Sequence, residues 1–172
     1  MKEKILEVKN LEVSFKTYAG ISHAVRGIDF NLHKGETLAI VGESGCGKTV
    51  SSKAIMRLLP ESNTIIGENS EVLFHGEDLL KKNKKSMRKI RGKQISMIFQ
   101  DPMTSLNPVI TVGEQIMEEI RLHDKKMSKK DAYTKACEML ELVGIKADRA
   151  GDYPHQFSGG MKQRVIIAMA LA

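Results

Sequence analysis

Apolar and polar residues alternate along the first part of the chain. Apolar positions recur at every second residue within 5–8 and 11–15, and after Gly20 the same spacing resumes over 24–32. This spacing predicts strands that bury one face, so we expect antiparallel β-strands in this region.

The second half of the chain changes to helical spacing. Val112, Ile116 and Ile120 lie four residues apart, and residues 111–114 have the helix-capping pattern [ST]-x-x-[DE]. The pattern recurs at 128–131, which predicts a second helix. The apolar face of that helix comprises Ala132, Ala136, Met139, Leu140 and Val143, and Gly144 is its expected stop. The two helices are predicted to form a separate lobe.

Two mainly apolar runs, residues 38–41 and 94–99, lie between these regions. They are typical of strands buried within a parallel sheet. A short strand is also predicted at 71–74, and a helix is predicted over 50–59, where Pro60 would stop it.

The first apolar run leads into GESGCGKT, residues 42–49, which matches G-x-x-x-x-G-K-[ST] at every fixed position. Between a strand and a helix, this pattern predicts a phosphate-binding loop. Its glycines let the backbone approach phosphate oxygens, and the free N–H groups of the helix start point at the anion. Lys48 supplies a charge for the β- and γ-phosphates, and Thr49 supplies a hydroxyl for Mg²⁺. The flanking elements disfavour the alternative, a glycine-rich turn with a surface lysine.

A weaker phosphate-binding candidate precedes an apolar helix predicted over residues 161–172. Ser158, Gly159 and Gly160 offer a hydroxyl and backbone N–H groups to an anion at the start of that helix. A Ser-Gly-Gly tripeptide is equally typical of a flexible hinge, so by itself it does not define a site.

Two single residues are further candidates. Gln100 follows the predicted strand 94–99, and ligands bind at the ends of strands in open α/β sheets. Its amide could reach a metal or a water, or could simply cap the strand. Tyr18 is predicted to lie in a loop, where its ring could stack on a nucleotide base or plug a hairpin. These residues alone leave the alternatives open.

Composition limits the class of protein. A chain of 172 residues with 41% apolar content suits one ordinary domain. It has no apolar run of transmembrane length, and a strand-like pattern replaces a signal-peptide core, so we expect a cytoplasmic chain. Its two cysteines, Cys46 and Cys137, predict neither a disulfide framework nor a metal site.

The net charge of +6 comes largely from one segment, KKNKKSMRKIRGK at residues 81–93. A solvated face beside an insertion is the favoured interpretation. Binding to anionic lipid headgroups or to nucleic acid is the alternative.

Three segments together resemble the nucleotide-binding subunits of ATP-binding-cassette (ABC) transporters in order and spacing. They are residues 42–49, FQDPMTSLNP at 99–108, and HQFSGGMKQR at 155–164. The resemblance covers essentially the whole chain. The motif QDPxxSLNP, which follows a basic insertion, is similar to the motif of the subgroup that imports dipeptides, oligopeptides and nickel.

The resemblance implies an α/β fold, a P-loop NTPase (RecA-like) ABC ATPase core with an antiparallel β subdomain and a helical subdomain. In this chain we expect the antiparallel β region at 1–36, the P-loop core at 37–100, and the helical subdomain at 101–172.

The resemblance also implies roles for single residues. The Walker A loop would bind ATP through Gly42, Ser44, Gly45, Cys46, Gly47, Lys48, Thr49 and Val50. Gln100 matches the Q-loop glutamine, which touches Mg²⁺ and the attacking water, so Lys48 and Gln100 are the expected catalytic residues, with Thr49 and Gln100 at the metal. Tyr18 falls where the family has an aromatic residue that stacks on adenine. Residues 103–108 would lie near the membrane subunit.

Ser158, Gly159 and Gly160 match the signature motif, which in the family contacts the γ-phosphate held by the opposite subunit of a dimer. Phe157 and Met161 differ from the common LSGGQ sequence of this motif at its first and last positions. Relatives among the peptide importers often read FSGGM.

ATP and Mg²⁺ are the cofactors that the resemblance implies. The implied partners are a second ABC ATPase subunit, identical or paralogous, integral membrane permease subunits, and indirectly an extracytoplasmic solute-binding protein. The expected location is the cytoplasmic face of the membrane, and the expected activity is ATP hydrolysis that powers import of peptides or a related solute such as nickel. Nucleic acid is not an expected partner.

The family continues past the signature helix to a Walker B strand, whose aspartate holds Mg²⁺ and whose next glutamate is the general base. No run of four apolar residues in this chain ends in Asp-Glu. We therefore expect an incomplete domain that lacks the C-terminal part of the core and leaves a sheet edge unpaired. Phosphate binding would survive, whereas catalysis by the family's base would not. A nucleotide-binding fragment without turnover and a soluble ABC ATPase acting on nucleic acid are the alternatives.

Overall fold

The computed structural model describes residues 2–100 and 105–172. The chain forms two compact units, one ending at Arg88 and the other beginning at Lys89. Each unit is described by itself below.

The first unit is organised around a long antiparallel ribbon of β1 (Lys4–Thr17) and β2 (Gly20–His33). These strands confirm the antiparallel region predicted from the alternating pattern. Three short strands extend the sheet, namely β3 (Thr64–Ile66), β4 (Glu71–Phe74) and β5 (Glu77–Asp78). The strand order is β2-β1-β4-β5, and β3 pairs with another part of β1. The bounds of β4 match the prediction.

The buried face of β1 forms the centre of this unit's core. Val8, Leu11 and Val13 are at most 1% exposed, and Val72 of β4 joins them. Ser70 is one of the buried polar residues of this unit. Its hydroxyl accepts from the Glu12 N–H (3.0 Å) and donates to the Asn10 carbonyl (2.8 Å). Because both polar functions of this hydroxyl are satisfied, the strand that follows it is fixed against β1.

The first unit also contains the short helix α1 (Lys48–Ile55). A second short helix, α2 (Lys84–Ile90), begins in this unit and includes the boundary after Arg88. The prediction of a helix over 50–59 was wrong at both ends. The helix begins at the lysine of the phosphate loop, and Arg57 adopts a left-handed φ of 50°, which ends the helix before Pro60 is reached. The Arg57 side chain donates to the Leu79 carbonyl at 3.4 Å and also to that of Lys82.

Neither apolar run predicted as a buried strand, 38–41 or 94–99, forms a strand in the described residues. Val41 is 87% exposed, and Ile98 and Phe99 are each 45% exposed. A strand requires hydrogen bonds to a neighbouring strand, and apolar content alone does not provide them. In the ranges 2–100 and 105–172, every paired strand belongs to the antiparallel sheet around β1, so these two runs remain outside it.

The alternating pattern did not indicate β3, β5 or α2. The two strands have three and two residues, too few to establish a period. Helix α2 lies inside the basic segment, where only Met87 and Ile90 are buried. So few apolar residues give no helical periodicity in the sequence.

The second unit is helical and contains α3 (Val112–His123), α4 (Lys129–Leu142) and α5 (Gly159–Leu171). Two 3₁₀ helices, Ala147–Gly151 and Pro154–Gln156, connect α4 to α5. The predicted capping box of α3 is present, and Ser128 caps α4 by accepting from the Asp131 N–H at 3.1 Å. Gly144 ends the second helix region with a φ of 75°, as predicted.

The core of the helical unit contains the predicted apolar stripes. Val112 and Ile116 are fully buried from α3, and Ala136 and Leu140 are fully buried from α4. Phe157 and Val165 complete the core at α5. The polar Gln115 is also buried, which makes its hydrogen bonds important for the site described next.

No helix within the described residues is long and apolar enough to cross a lipid bilayer.

Candidate functional site

The predicted phosphate loop, residues 42–49, leads into α1 through two left-handed glycines. Gly45 has a φ of 84° and Gly47 has a φ of 95°, conformations that residues with a Cβ rarely adopt. A Cβ on Gly47 would lie 2.6 Å from the Ala24 carbonyl oxygen of β2. The close approach of Gly47 to β2 therefore fixes the end of the loop against the sheet.

Lys48, the first residue of α1, extends back across the loop. Its ammonium nitrogen donates to the carbonyl oxygens of Gly42 (2.7 Å) and Glu43 (2.6 Å). The Cys46 sulfur lies 3.4 Å from the same nitrogen, and a Cβ on Gly42 would lie 2.7 Å from that sulfur. The loop is therefore closed around one cation held by backbone oxygens.

An open cavity of about 510 Å³ lies beside this loop. Its walls come from β2, from residues 40 and 41, and from the loop and α1. Among the described residues, the lining includes two cations, Arg26 and Lys48, and no carboxylate. A cavity with this charge, next to backbone N–H groups at a helix start, fits a polyphosphate.

The remaining predicted residues of the loop are accessible to a ligand. Ser44, Cys46 and Thr49 are exposed, and Val50 is half-buried. A Cβ on Gly45 would meet no atom within 4 Å, so space is open beside it. Thr49 occupies the second position of α1, and its exposed hydroxyl is a ligand of the type that Mg²⁺ accepts. These residues thus fit both implied groups.

Tyr18 lies at the turn between β1 and β2, and its side chain is fully exposed. It is not among the residues that line the cavity, which β2 borders through His23, Val25 and Arg26. Its role as an adenine-stacking residue stays a prediction.

Gln100 and the predicted signature residues all belong to the second unit. Gln100 is exposed at a bend and does not follow a strand, because residues 94–99 form none. Of the segment expected near a membrane subunit, residues 103 and 104 lie outside the described residues. Leu106 is buried, whereas Pro108 and Val109 are exposed.

The buried Gln115 holds the loop that contains these exposed residues. Its side-chain oxygen accepts from the Asn107 N–H at 2.9 Å. Its amide nitrogen donates to the carbonyls of Asn107 (3.0 Å) and Ile110 (2.9 Å). All three bonds fix residues 107–110 on the start of α3, so Pro108 and Val109 project from a supported loop.

Ser158 is the N-cap of α5, and its hydroxyl accepts from the Met161 N–H at 3.4 Å. The helix begins at Gly159, two residues earlier than predicted, and both glycines are exposed with open space beside them. Phe157 is 4% exposed, and the Arg149 guanidinium lies 4.8 Å from its ring centre. A core side chain therefore anchors the exposed Ser-Gly-Gly segment.

The sequence patterns did not indicate the cavity wall that β2 supplies. Arg26 and His23 line it because Gly47 contacts the backbone of Ala24, a contact between residues that are far apart in the chain. No local pattern marks these residues. The only hint in the sequence of a close contact at this point is the glycine at position 47.

Comparisons with known proteins identify the family of this chain. A sequence profile of the ABC transporter family matches residues 25–172. The chain is 57% identical to the dipeptide transport ATP-binding protein DppD of Bacillus subtilis over 171 residues, which are 98% of this chain and 50% of that protein. It is 56% identical to the oligopeptide transport ATP-binding protein OppD of the same organism, covering 98% of this chain and 47% of that protein. The chain thus spans about half the length of the curated relatives it matches.

A solved structure of the cassette MJ0796, described as a dimeric bacterial ABC transporter cassette, is similar in fold. The TM-score is 0.84 at 28% identity, and the match covers 97% of this chain and 69% of that one. The same cassette has also been solved in a post-hydrolysis state bound to ADP and Pi, with a TM-score of 0.83 to this chain. The chain has the α/β fold of an ABC ATPase cassette and belongs to the ABC transporter family.

Proposed function

We propose that this chain is the ATP-binding part of a subunit that powers import of dipeptides or oligopeptides across the cytoplasmic membrane. The observation that carries the proposal is the closed phosphate loop, with Lys48 and Arg26 lining the cavity beside it. The names of the similar proteins, which concern dipeptide and oligopeptide transport, support the choice of solute class.

In this proposal the chain's own residues bind and orient a nucleotide. Lys48 exchanges its contacts with two backbone carbonyls for the β- and γ-phosphates, while N–H groups of residues 45–49 donate to phosphate oxygens. The Thr49 hydroxyl would be a ligand of Mg²⁺. Gln100 stays a predicted metal ligand and catalytic residue. When bound, ATP supplies the phosphoanhydride bond whose hydrolysis drives transport. Tyr18 would contact the base.

We infer that the partner is a second ABC subunit with the same site. Ser158, Gly159 and Gly160 are exposed at the start of α5 and would contact the γ-phosphate in that partner. The dimeric state of the MJ0796 cassette supports this arrangement. The segment at 103–108 would contact the permease, and the supported loop with exposed Pro108 and Val109 is consistent with that contact.

The division into a β region at 1–36, a core at 37–100 and a helical subdomain at 101–172 is kept as part of the proposal. We also keep the peripheral location at the cytoplasmic face and a solute-binding protein as an indirect partner. A related solute such as nickel would use the same ATP-binding residues.

Equilibrium binding of ATP to the 172-residue chain tests the site. Lys48→Ala removes a charge-assisted hydrogen bond of about 1.5–3 kcal/mol, so ATP affinity is expected to fall about tenfold or more. Lys34→Ala is the matched control, because it removes an exposed ammonium whose partner is Glu3 at 3.6 Å, outside the loop. Equal affinity in the Lys48 variant and the control would reject the assignment.

A further inference from the structure

The basic segment, residues 81–93, forms a distinct surface that the ATP-binding site does not use. Its eight cations exceed the net charge of the whole chain, so the other residues together are net acidic. The segment contains no acidic residue. The positive charge of this protein is therefore local.

Helix α2 orders the centre of this segment. The Asn83 side-chain oxygen accepts from the Ser86 N–H at 2.9 Å, which caps the helix start. Met87 and Ile90, three residues apart, are 1% and 7% exposed and anchor one face. Lys85, Arg88 and Lys89 are spaced at three and four residues and are exposed. A buried apolar face thus holds a basic face toward solvent.

The residues that the structure describes do not neutralise the charges of this basic face. Nearby lysines have partners, since Lys81 lies 3.1 Å from Asp78 and Lys84 lies 2.8 Å from Glu61. In contrast, the side chains of Lys85, Arg88 and Lys89 make no ion pair or hydrogen bond with any residue of 2–100 or 105–172. Three like charges on one short helix repel each other, so they favour an anionic partner.

We propose that the face formed by Lys85, Arg88 and Lys89 docks on the anionic phospholipid surface of the membrane. Clusters of lysine and arginine on an amphipathic helix bind acidic headgroups electrostatically, without a shaped pocket. The segment has no aromatic residue for stacking on bases, which disfavours single-stranded nucleic acid. The presence of a membrane near this face rests on the proposed function, but its affinity for lipid does not.

This docking adds a direct protein–lipid contact to the proposed contact with a permease. It would hold the ATP-binding subunit at the bilayer and limit the orientations in which it meets its partners. Because the attraction is electrostatic, it weakens as salt is added and depends on the fraction of acidic lipid.

Cosedimentation with lipid vesicles tests the proposal on the 172-residue chain. Vesicles of phosphatidylcholine with about 30% phosphatidylglycerol, in about 0.1 M salt, are expected to bind the chain, and vesicles of phosphatidylcholine alone are not. The triple variant Lys85→Gln, Arg88→Gln, Lys89→Gln is expected to lose about 100-fold in affinity for the acidic vesicles.

The matched control is Lys125→Gln, Lys126→Gln, Lys130→Gln, which removes the same charge from another exposed cluster. Its vesicle affinity is expected to stay within about threefold of the unchanged chain, because it leaves the α2 face intact. Equal losses in the two triple variants would overturn the proposal, since binding would then follow total charge. Absence of binding to acidic vesicles would overturn it as well.

Two parallel measurements separate this proposal from others. The unchanged chain is tested for binding of duplex DNA and of RNA. The lipid would be rejected as partner if either nucleic acid bound more strongly than acidic vesicles and the triple variant at Lys85, Arg88 and Lys89 lost that binding. ATP affinity is expected to be the same in both triple variants, because neither changes the phosphate loop. Vesicle binding without ATP binding would reject only the proposed function, and ATP binding without vesicle binding would reject only the lipid contact.

Discussion

At the phosphate loop, the sulfur of Cys46 and the ammonium of Lys48 are 3.4 Å apart, and both are accessible to solvent. The other cysteine, Cys137, lies in α4 and is partly covered by the helical core. Burial raises the pKa of the Cys137 thiol, and the carboxylates of Glu141 and Glu138 raise it further. The two thiols therefore have different environments in the same chain.

Iodoacetamide at neutral pH is expected to label Cys46 faster than Cys137. The reactive species is the thiolate, and a raised pKa together with partial burial reduces its amount and its access at Cys137. Mass spectrometry of the two tryptic peptides over time gives both rates. In urea the rates should converge, which serves as the control, and faster labelling of Cys137 in the folded chain would contradict the structure. Saturating ATP is expected to slow labelling of Cys46 alone.

At the scale of elements, the contact between the phosphate loop and β2 is a backbone contact that only glycine permits. Gly47→Ala places a Cβ 2.6 Å from the Ala24 oxygen and 3.2 Å from a Val25 methyl, at a φ of 95°. We expect this change to destabilise the first unit by about 1–3 kcal/mol, as measured by urea unfolding, and to weaken ATP binding.

Gly151→Ala is the control for that variant. A Cβ on Gly151 meets no atom within 4 Å, so the expected change is within about 0.5 kcal/mol. If Gly47→Ala were as stable as this control and bound ATP equally well, the proposed junction of loop and strand would be wrong.

The loop at 107–110 is held on the start of α3 by one side chain, that of Gln115. Gln115→Leu removes three hydrogen bonds and leaves the Asn107 N–H and two carbonyls without this partner. A loss of about 2 kcal/mol or more in unfolding free energy is expected, because each of the three hydrogen bonds contributes about 0.5–1.5 kcal/mol. Gln163→Leu, at an exposed position of α5, is the matched control with little expected effect. Similar losses in both variants would show that Gln115 does not support the loop.

At the scale of the whole molecule, binding and hydrolysis of ATP are expected to separate. None of the 172 residues forms a run of four apolar residues that ends in Asp-Glu, and a site without a general base is slower by about 10²–10⁴. We therefore expect the 172-residue chain to bind ATP and to release phosphate much more slowly than a full-length relative does. The full-length DppD of Bacillus subtilis is a suitable reference for both measurements. Equal turnover by the two proteins would contradict this expectation.

Local patterns determined much of this protein. The alternation in residues 5–32 predicted the β1–β2 ribbon, and the capping pairs predicted α3 and α4, because hydrogen bonds and side-chain contacts at short range decide those elements. The pattern at 42–49 predicted the phosphate loop for the same reason, since its turn and its free N–H groups arise within eight residues.

Long-range pairing decided what the patterns could not. Residues 38–41 and 94–99 have the composition of buried strands but form none, because a strand exists only where a second backbone offers hydrogen bonds. Likewise Arg26 reaches the cavity only through the contact of Gly47 with β2. The sequence by itself determined the phosphate loop, the ribbon and the capped helices, all set by neighbours along the chain. Tertiary structure alone decided which walls enclose the site and which apolar runs stay outside the sheet, because those depend on backbone contacts between distant residues.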